Sequence, residues 1–138
     1  MLTNTNLSSI YVLDQQEALD FYVDVLGLEV KNDIDMGFMR WLTVGVPGED
    51  REILLEVPGP PAMDELTADK VRANVTKGAG GGWLGFRTDD CRALYERLAA
   101  QGVDITQEPV EQFYGIDIGI RDPFGNALRI VQPHTNTD

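Results

Sequence analysis

A single cysteine and a single histidine occur in the 138 residues, and each scarcity closes off chemistry. Cys91 alone cannot form an internal disulfide, and it reads as a small packed side chain in the first turn of a helix. His134 lies beyond the last expected strand, so no Ser-His-carboxylate arrangement and no two-histidine metal site can be assembled. Positive charge is also scarce, with 11 Lys and Arg against 23 Asp and Glu and a net charge of −12. That balance opposes nucleic acid and anionic membranes as partners, while it permits a cationic ligand or serves only solubility. The apolar runs are too short to span a bilayer, and Met1–Asn6 is polar without a basic start. A soluble cytoplasmic protein is expected, with no membrane segment and no secretory signal.

The chain is organised around Asp14–Val30, DQQEALDFYVDVLGLEV. It opens on a capping Asp, continues as a helix with Leu19, Tyr22, Val23 and Leu26 on one stripe, and stops at Gly27 before a strand. Asp89–Ile105, DDCRALYERLAAQGVDI, repeats this pattern. Asp14 matches Asp89, Ala18 Ala93, Leu19 Leu94, Gly27 Gly102, Leu28 Val103 and Val30 Ile105, all at one offset (89 − 14 = 75). Two copies of one unit imply a duplicated domain.

Strands are expected at Leu7–Leu13, Leu28–Ile34, Phe38–Val46 and Glu52–Val57 around the first helix. The second unit repeats them at Trp83–Thr88, Val103–Val110, Phe113–Arg121 and Ala127–Gln132 around the helix from Asp89. Breaks fall at Met36-Gly37, at Pro47-Gly48-Glu49-Asp50 and at Asp122-Pro123-Phe124-Gly125-Asn126. The reading is therefore α+β, a single domain over 1–138 built of two βαβββ units, about 6–58 and 82–133. A Gly/Pro-rich connector joins them, with a short helix at Ala68, Val71 and Val75 and the run Gly78–Gly82. That run matches neither phosphate-loop pattern and precedes a strand, so it reads as a hinge. Two curved mixed sheets of this kind placed edge to edge leave a concave trough.

LDQQEALDFYVDVLGLEV, TDDCRALYERLAAQGVDI and the closing RDPFGNALRIVQP resemble the vicinal oxygen chelate (glyoxalase-like) superfamily. That superfamily groups glyoxalase I, extradiol dioxygenases, fosfomycin-resistance enzymes and bleomycin-resistance proteins. The resemblance implies metal ligands on the first and last strands of each unit. Those positions fall at Leu7 or Ser8, at Leu54 with Glu52 and Glu56 on its strand face, at Gly82 or Trp83, and at Arg129. Arg129 stands where the DPxGNxxEL ending has its Glu, and it would repel a divalent cation. No metal, no other cofactor and no catalytic residue are therefore expected.

The resemblance is nearest to the metal-free antibiotic-binding branch. It implies a homodimer with pockets at the interface, sequestering an aromatic natural product of bleomycin, quinone or enediyne type. Ligand-binding candidates are Met36, Phe38, Trp41, Trp83, Phe113 and Tyr114 as aromatic or adaptable walls. Glu56, Asp117 and Arg129 are the polar handles, and Asp117 shares a strand face with Phe113, Gly115 and Gly119. Trp41 can equally be core, and Arg129 can equally neutralise Asp117 or Glu56. A glyoxalase-like lyase, isomerase or dioxygenase, metal-dependent or metal-free, is the alternative, and a sensory or carrier module is a third.

Overall fold

The structure, a computed structural model, describes residues 1–134. The chain forms two compact units, the second beginning at Gly82, and each builds a four-stranded mixed sheet beside a helix. The duplicated βαβββ reading is the observed architecture.

In the first unit, β1 (Leu7–Tyr11) lies parallel to β4 (Glu52–Glu56), and β3 (Arg40–Gly45) and β2 (Glu29–Asp35) follow antiparallel, in the order β1-β4-β3-β2. Strand alternation sends Ile10, Leu42, Val44, Ile53 and Leu55 into the core with Val12, Ala18, Phe21 and Tyr22. The opposite face carries Ser9, Tyr11, Asn32, Trp41, Thr43, Glu52, Leu54 and Glu56. The connector contains α2 (Glu65–Thr76), capped by the Asp64 side chain on Thr67 N and burying Ala68 and Val75. This is the helix expected at Ala68, Val71 and Val75.

The second unit repeats the order with β5 (Leu84–Arg87), β8 (Ala127–Pro133), β7 (Gly115–Arg121) and β6 (Asp104–Gln112), and β5 is parallel to β8. The helix α3 (Cys91–Ala100) packs on β6, β7 and β8 over Ile118, Ile120, Leu128 and Ile130. The duplication extends to an irregularity. β2 bulges between Val30 and Asn32, and β6 bulges between Ile105 and Gln107, the same place 75 residues on (105 − 30).

Two details differ from the sequence reading. The second helix is capped by Asp90, whose carboxylate accepts from Ala93 N at 3.0 Å, and not by Asp89. The first is capped by Asp14 as expected, its carboxylate accepting from Glu17 N at 2.8 Å. From cap to terminal glycine there are 13 steps in the first unit (27 − 14) and 12 in the second (102 − 90). The additional residue is absorbed by a π-helical segment, Asp20–Val25, that continues α1 (Gln15–Leu19). Leu26 N accordingly reaches back five residues to Phe21 O at 2.9 Å. This wider turn rephases the helix, so Ala18, Phe21 and Tyr22 are buried while Leu19, Val23 and Leu26 are only half-buried. Both helices still end on a glycine with positive φ, 83° at Gly27 and 79° at Gly102.

Candidate functional site

The turn Asp122–Asn126 fixes where the last strand begins. One carboxylate oxygen of Asp122, buried, accepts from the backbone N–H groups of Phe124, Gly125 and Asn126 at 2.9–3.0 Å. The other accepts from Asn126 Nδ2 at 2.8 Å. A turn closed this way delivers β8 in one register against β7, with Arg129 opposite Gly119 and Asp117 opposite Val131. On the other side of β8, Gly85 pairs with Arg129. The row across the sheet is therefore Gly85, Arg129, Gly119 and Gln107, all on the face away from α3.

On that face a polar cluster closes around Asp117, which is only 4% exposed. Arg129 Nη2 donates to Asp117 Oδ2 at 2.9 Å and to Gln107 Oε1 at 3.0 Å. Gln107 Nε2 donates to Asp117 Oδ1 at 2.7 Å, and the Tyr114 hydroxyl donates to Oδ2. Burial pushes the Asp117 carboxyl up, but the donors from Tyr114, Gln107 and Arg129 and the guanidinium charge outweigh it. The carboxyl stays below the usual aspartate value. The same bond raises the Tyr114 phenol, because the proton it donates is held by a carboxylate. Trp83, 64% exposed, precedes β5 and lays its indole over Gly85, where a Cβ would meet Cζ3 at 3.4 Å.

Tyr114, Asp117, Arg129 and Trp83 thus come together in the second unit. Phe113 does not join their strand face: β7 begins at Gly115, so Phe113 sits in the hairpin turn, 92% exposed, edge-on to Tyr114 at 5.1 Å. The buried thiol of Cys91 is raised by burial and by the charge of Asp117, consistent with an inert packed side chain.

In the first unit, Glu56 accepts from Ser9 Oγ at 2.9 Å, and burial together with the Glu56 charge raises the Tyr11 phenol. Glu52 accepts from Thr43 Oγ1 at 2.6 Å and from Asn32 Nδ2 at 2.8 Å, and these bonds hold its carboxyl low. Trp41 lies on this same face, half-buried, opposite in direction to the buried Leu42 and Val44. Beside it the β3–β4 ladder is reduced to two residue pairs, and Gln15 Nε2 bridges the carbonyls of Arg40 and Leu55 across the gap. Met36 and Phe38 lie in the β2–β3 turn, exposed. Ser9, Tyr11 and Gln107 were missed by the sequence reading. Gln107 hides behind the two bulges of β6, which break the alternation that would have assigned it a face.

A family model described as the Glyoxalase/Bleomycin resistance protein/Dioxygenase superfamily matches residues 5–130. The chain belongs to this superfamily. Among solved structures it is similar to UcmS2, at 39% identity over 95% of this chain and 98% of that one, with a TM-score of 0.87. It is also similar to TnmS3, an antibiotic binding protein from Streptomyces sp. CB03234, at 30% identity over 96% and 98%, with a TM-score of 0.77. Among curated sequences it is 34% identical over 128 residues to the uncharacterized protein YurT of Bacillus subtilis (strain 168), covering 91% of this chain and 96% of that one.

The glyoxalase-type metal positions can now be tested against the strand rows. Register equates Leu54, opposite Thr43, with Arg129, opposite Gly119. The two rows read Ser9, Leu54, Thr43, Asn32 and Gly85, Arg129, Gly119, Gln107, with no histidine or carboxylate in either. Register thus brings Ser9 and Gly85, not the expected Leu7 or Ser8 and Gly82 or Trp83, beside Leu54 and Arg129. Among the described residues no three His, Cys, Asp or Glu side chains group as ligands. The donor set does not fit the superfamily's divalent metal, and its most central member is a cation.

Proposed function

We propose that this protein binds an aromatic natural product and holds it without chemical change, giving resistance by sequestration. The observation that carries this reading is Arg129, a fixed cation at the position of the superfamily's metal-binding Glu, ion-paired to buried Asp117. A face built this way offers a planar wall at Trp83 and directional polar groups from Asp117, Gln107 and Arg129. The similarity to an antibiotic binding protein over nearly the whole chain supports the same reading. Bleomycin-type, quinone-type and enediyne antibiotics are the candidate ligands, with Met36, Phe38, Trp41, Glu56, Phe113 and Tyr114 as further contacts. In this reading the protein works as a cytoplasmic homodimer.

A titration of metal-stripped protein against a panel of such antibiotics, followed by Trp fluorescence, tests it. Saturable quenching without added metal is expected, and binding that appears only after metal is restored would overturn it.

A further inference from the structure

The formal charge of −12 permits a cationic ligand, but the geometry around Arg129 points the other way. A guanidinium has five N–H donors in one plane. Those on Nη2 are taken by Asp117 Oδ2 and Gln107 Oε1, while Nε and Nη1 have no acceptor among the described residues. The side chain is 38% exposed, so these donors are reached from solvent. It is also held: Asp117 is gripped independently by Tyr114 and Gln107, so the group that anchors Arg129 cannot swing away.

Its neighbours in the row let the guanidinium and the indole lie close against the sheet. Gly85 and Gly119 flank Arg129 without side chains, and a Cβ at Gly119 would lie 2.9 Å from Nη1. The indole of Trp83 rests over Gly85, beside the same row. Charge on this face departs from that of the whole chain: Arg87, Arg121 and Arg129 stand against Asp104 and Asp117. Asp117 is already paired, and carboxylates beyond about 8–10 Å are screened at ordinary ionic strength.

We infer that the unoccupied Nε and Nη1 donors of Arg129 form an acceptor-recognising subsite beside Trp83. The ligand class is then a planar aromatic compound presenting oxygen acceptors at one edge, as a quinone carbonyl, a phenolate or a carboxylate does, and not a cationic one. This rests on the aromatic-binding reading and adds the polarity of the ligand's edge to it. A planar guanidinium suits such oxygens because it can donate two parallel bonds, and its face stacks on aromatic rings.

The test uses two probes with one ring system and opposite edges, anthracene-2-carboxylate and 2-(aminomethyl)anthracene, titrated by Trp fluorescence quenching. The intact protein is expected to bind the carboxylate at least about tenfold more tightly, the size of one charge-assisted hydrogen bond. In R129M the ratio should fall to about one while the ring still binds. R129M/D117N, which leaves no unpaired buried carboxylate, should give the same ratio, and R129K should give an intermediate one. Equal binding of both probes, preference for the ammonium, or a ratio unchanged in R129M and R129M/D117N would overturn the inference and leave aromatic binding standing. Failure of both probes to bind would overturn the inference and the aromatic-binding reading together.

Discussion

Arg129 and Asp117 sit on neighbouring antiparallel strands two residues out of register, and their side chains meet at 2.9 Å because Gly119, opposite Arg129, has no side chain and the guanidinium lies over it. The pair converts a position that in metalloenzymes of this fold carries a metal-binding Glu into a fixed hydrogen-bond donor.

Breaking the pair from one side should cost stability. R129M leaves Asp117 buried with only Tyr114 and Gln107 donating to it, and a loss of about 1–2 kcal/mol is expected in urea unfolding. The partial exposure of Arg129 keeps the figure at the low end of buried ion pairs. D117N in the R129M background should recover part of the loss, giving a coupling energy of the sign expected for a direct contact.

The Asp117 carboxyl also sets a pH dependence. Its folded value is depressed, so it contributes stability above the unfolded value of about 3.9 and loses that contribution as pH falls through the folded value. D117N should therefore be less stable than the parent at pH 7, with the gap closing as the medium is taken from about pH 5 into stronger acid. Urea midpoints at several pH values read this directly. A gap that stays constant would mean the charge is not its source.

Gly119 tests the geometry without touching either charge. A Cβ there would lie 2.7 Å from Thr106 Oγ1 and 2.9 Å from Arg129 Nη1, so G119A must displace both. A loss of about 1–3 kcal/mol is expected from the overpacking. Ligand affinity should fall further than in G85A, where the nearest atom would be the edge of the Trp83 indole at 3.4 Å.

The cap of α3 separates two adjacent aspartates. D90A removes the acceptor of Ala93 N and should cost about 1 kcal/mol, whereas D89A, on an exposed residue outside the cap bond, should stay within about 0.5 kcal/mol. Thermal unfolding of the two variants side by side resolves the difference.

These residues also mark how far the sequence could be read. The duplication was legible because glycine stops, aspartate caps and apolar spacing are local signals, and Gly27 and Gly102 do end their helices. The placement of Asp117 followed from strand alternation along the closing hairpin, which pairs Asp117 through Arg121 without interruption, and that of Arg129 from the resemblance of the closing segment to the DPxGNxxEL ending. Gln107 was not legible, because two bulges in β6 change the alternation twice and only the cross-strand register reveals its face. Phe113 was assigned to a strand it does not enter, since the turn begins before Gly115 and the aromatic pair Phe113–Tyr114 has the composition of either. The assignment of the second cap to Asp89 arose from a single inserted residue in the first helix, absorbed as a π turn that leaves both ends of the repeat recognisable.

Native mass spectrometry of the protein mixed with a quinone-type antibiotic in the presence of a chelator tests the central claim most directly, because one spectrum reports stoichiometry, metal content and ligand mass together. Sequestration predicts a complex of one ligand per chain, free of metal, from which the ligand is released at its original mass. A ligand of altered mass, or a complex that forms only with a bound metal ion, would contradict it.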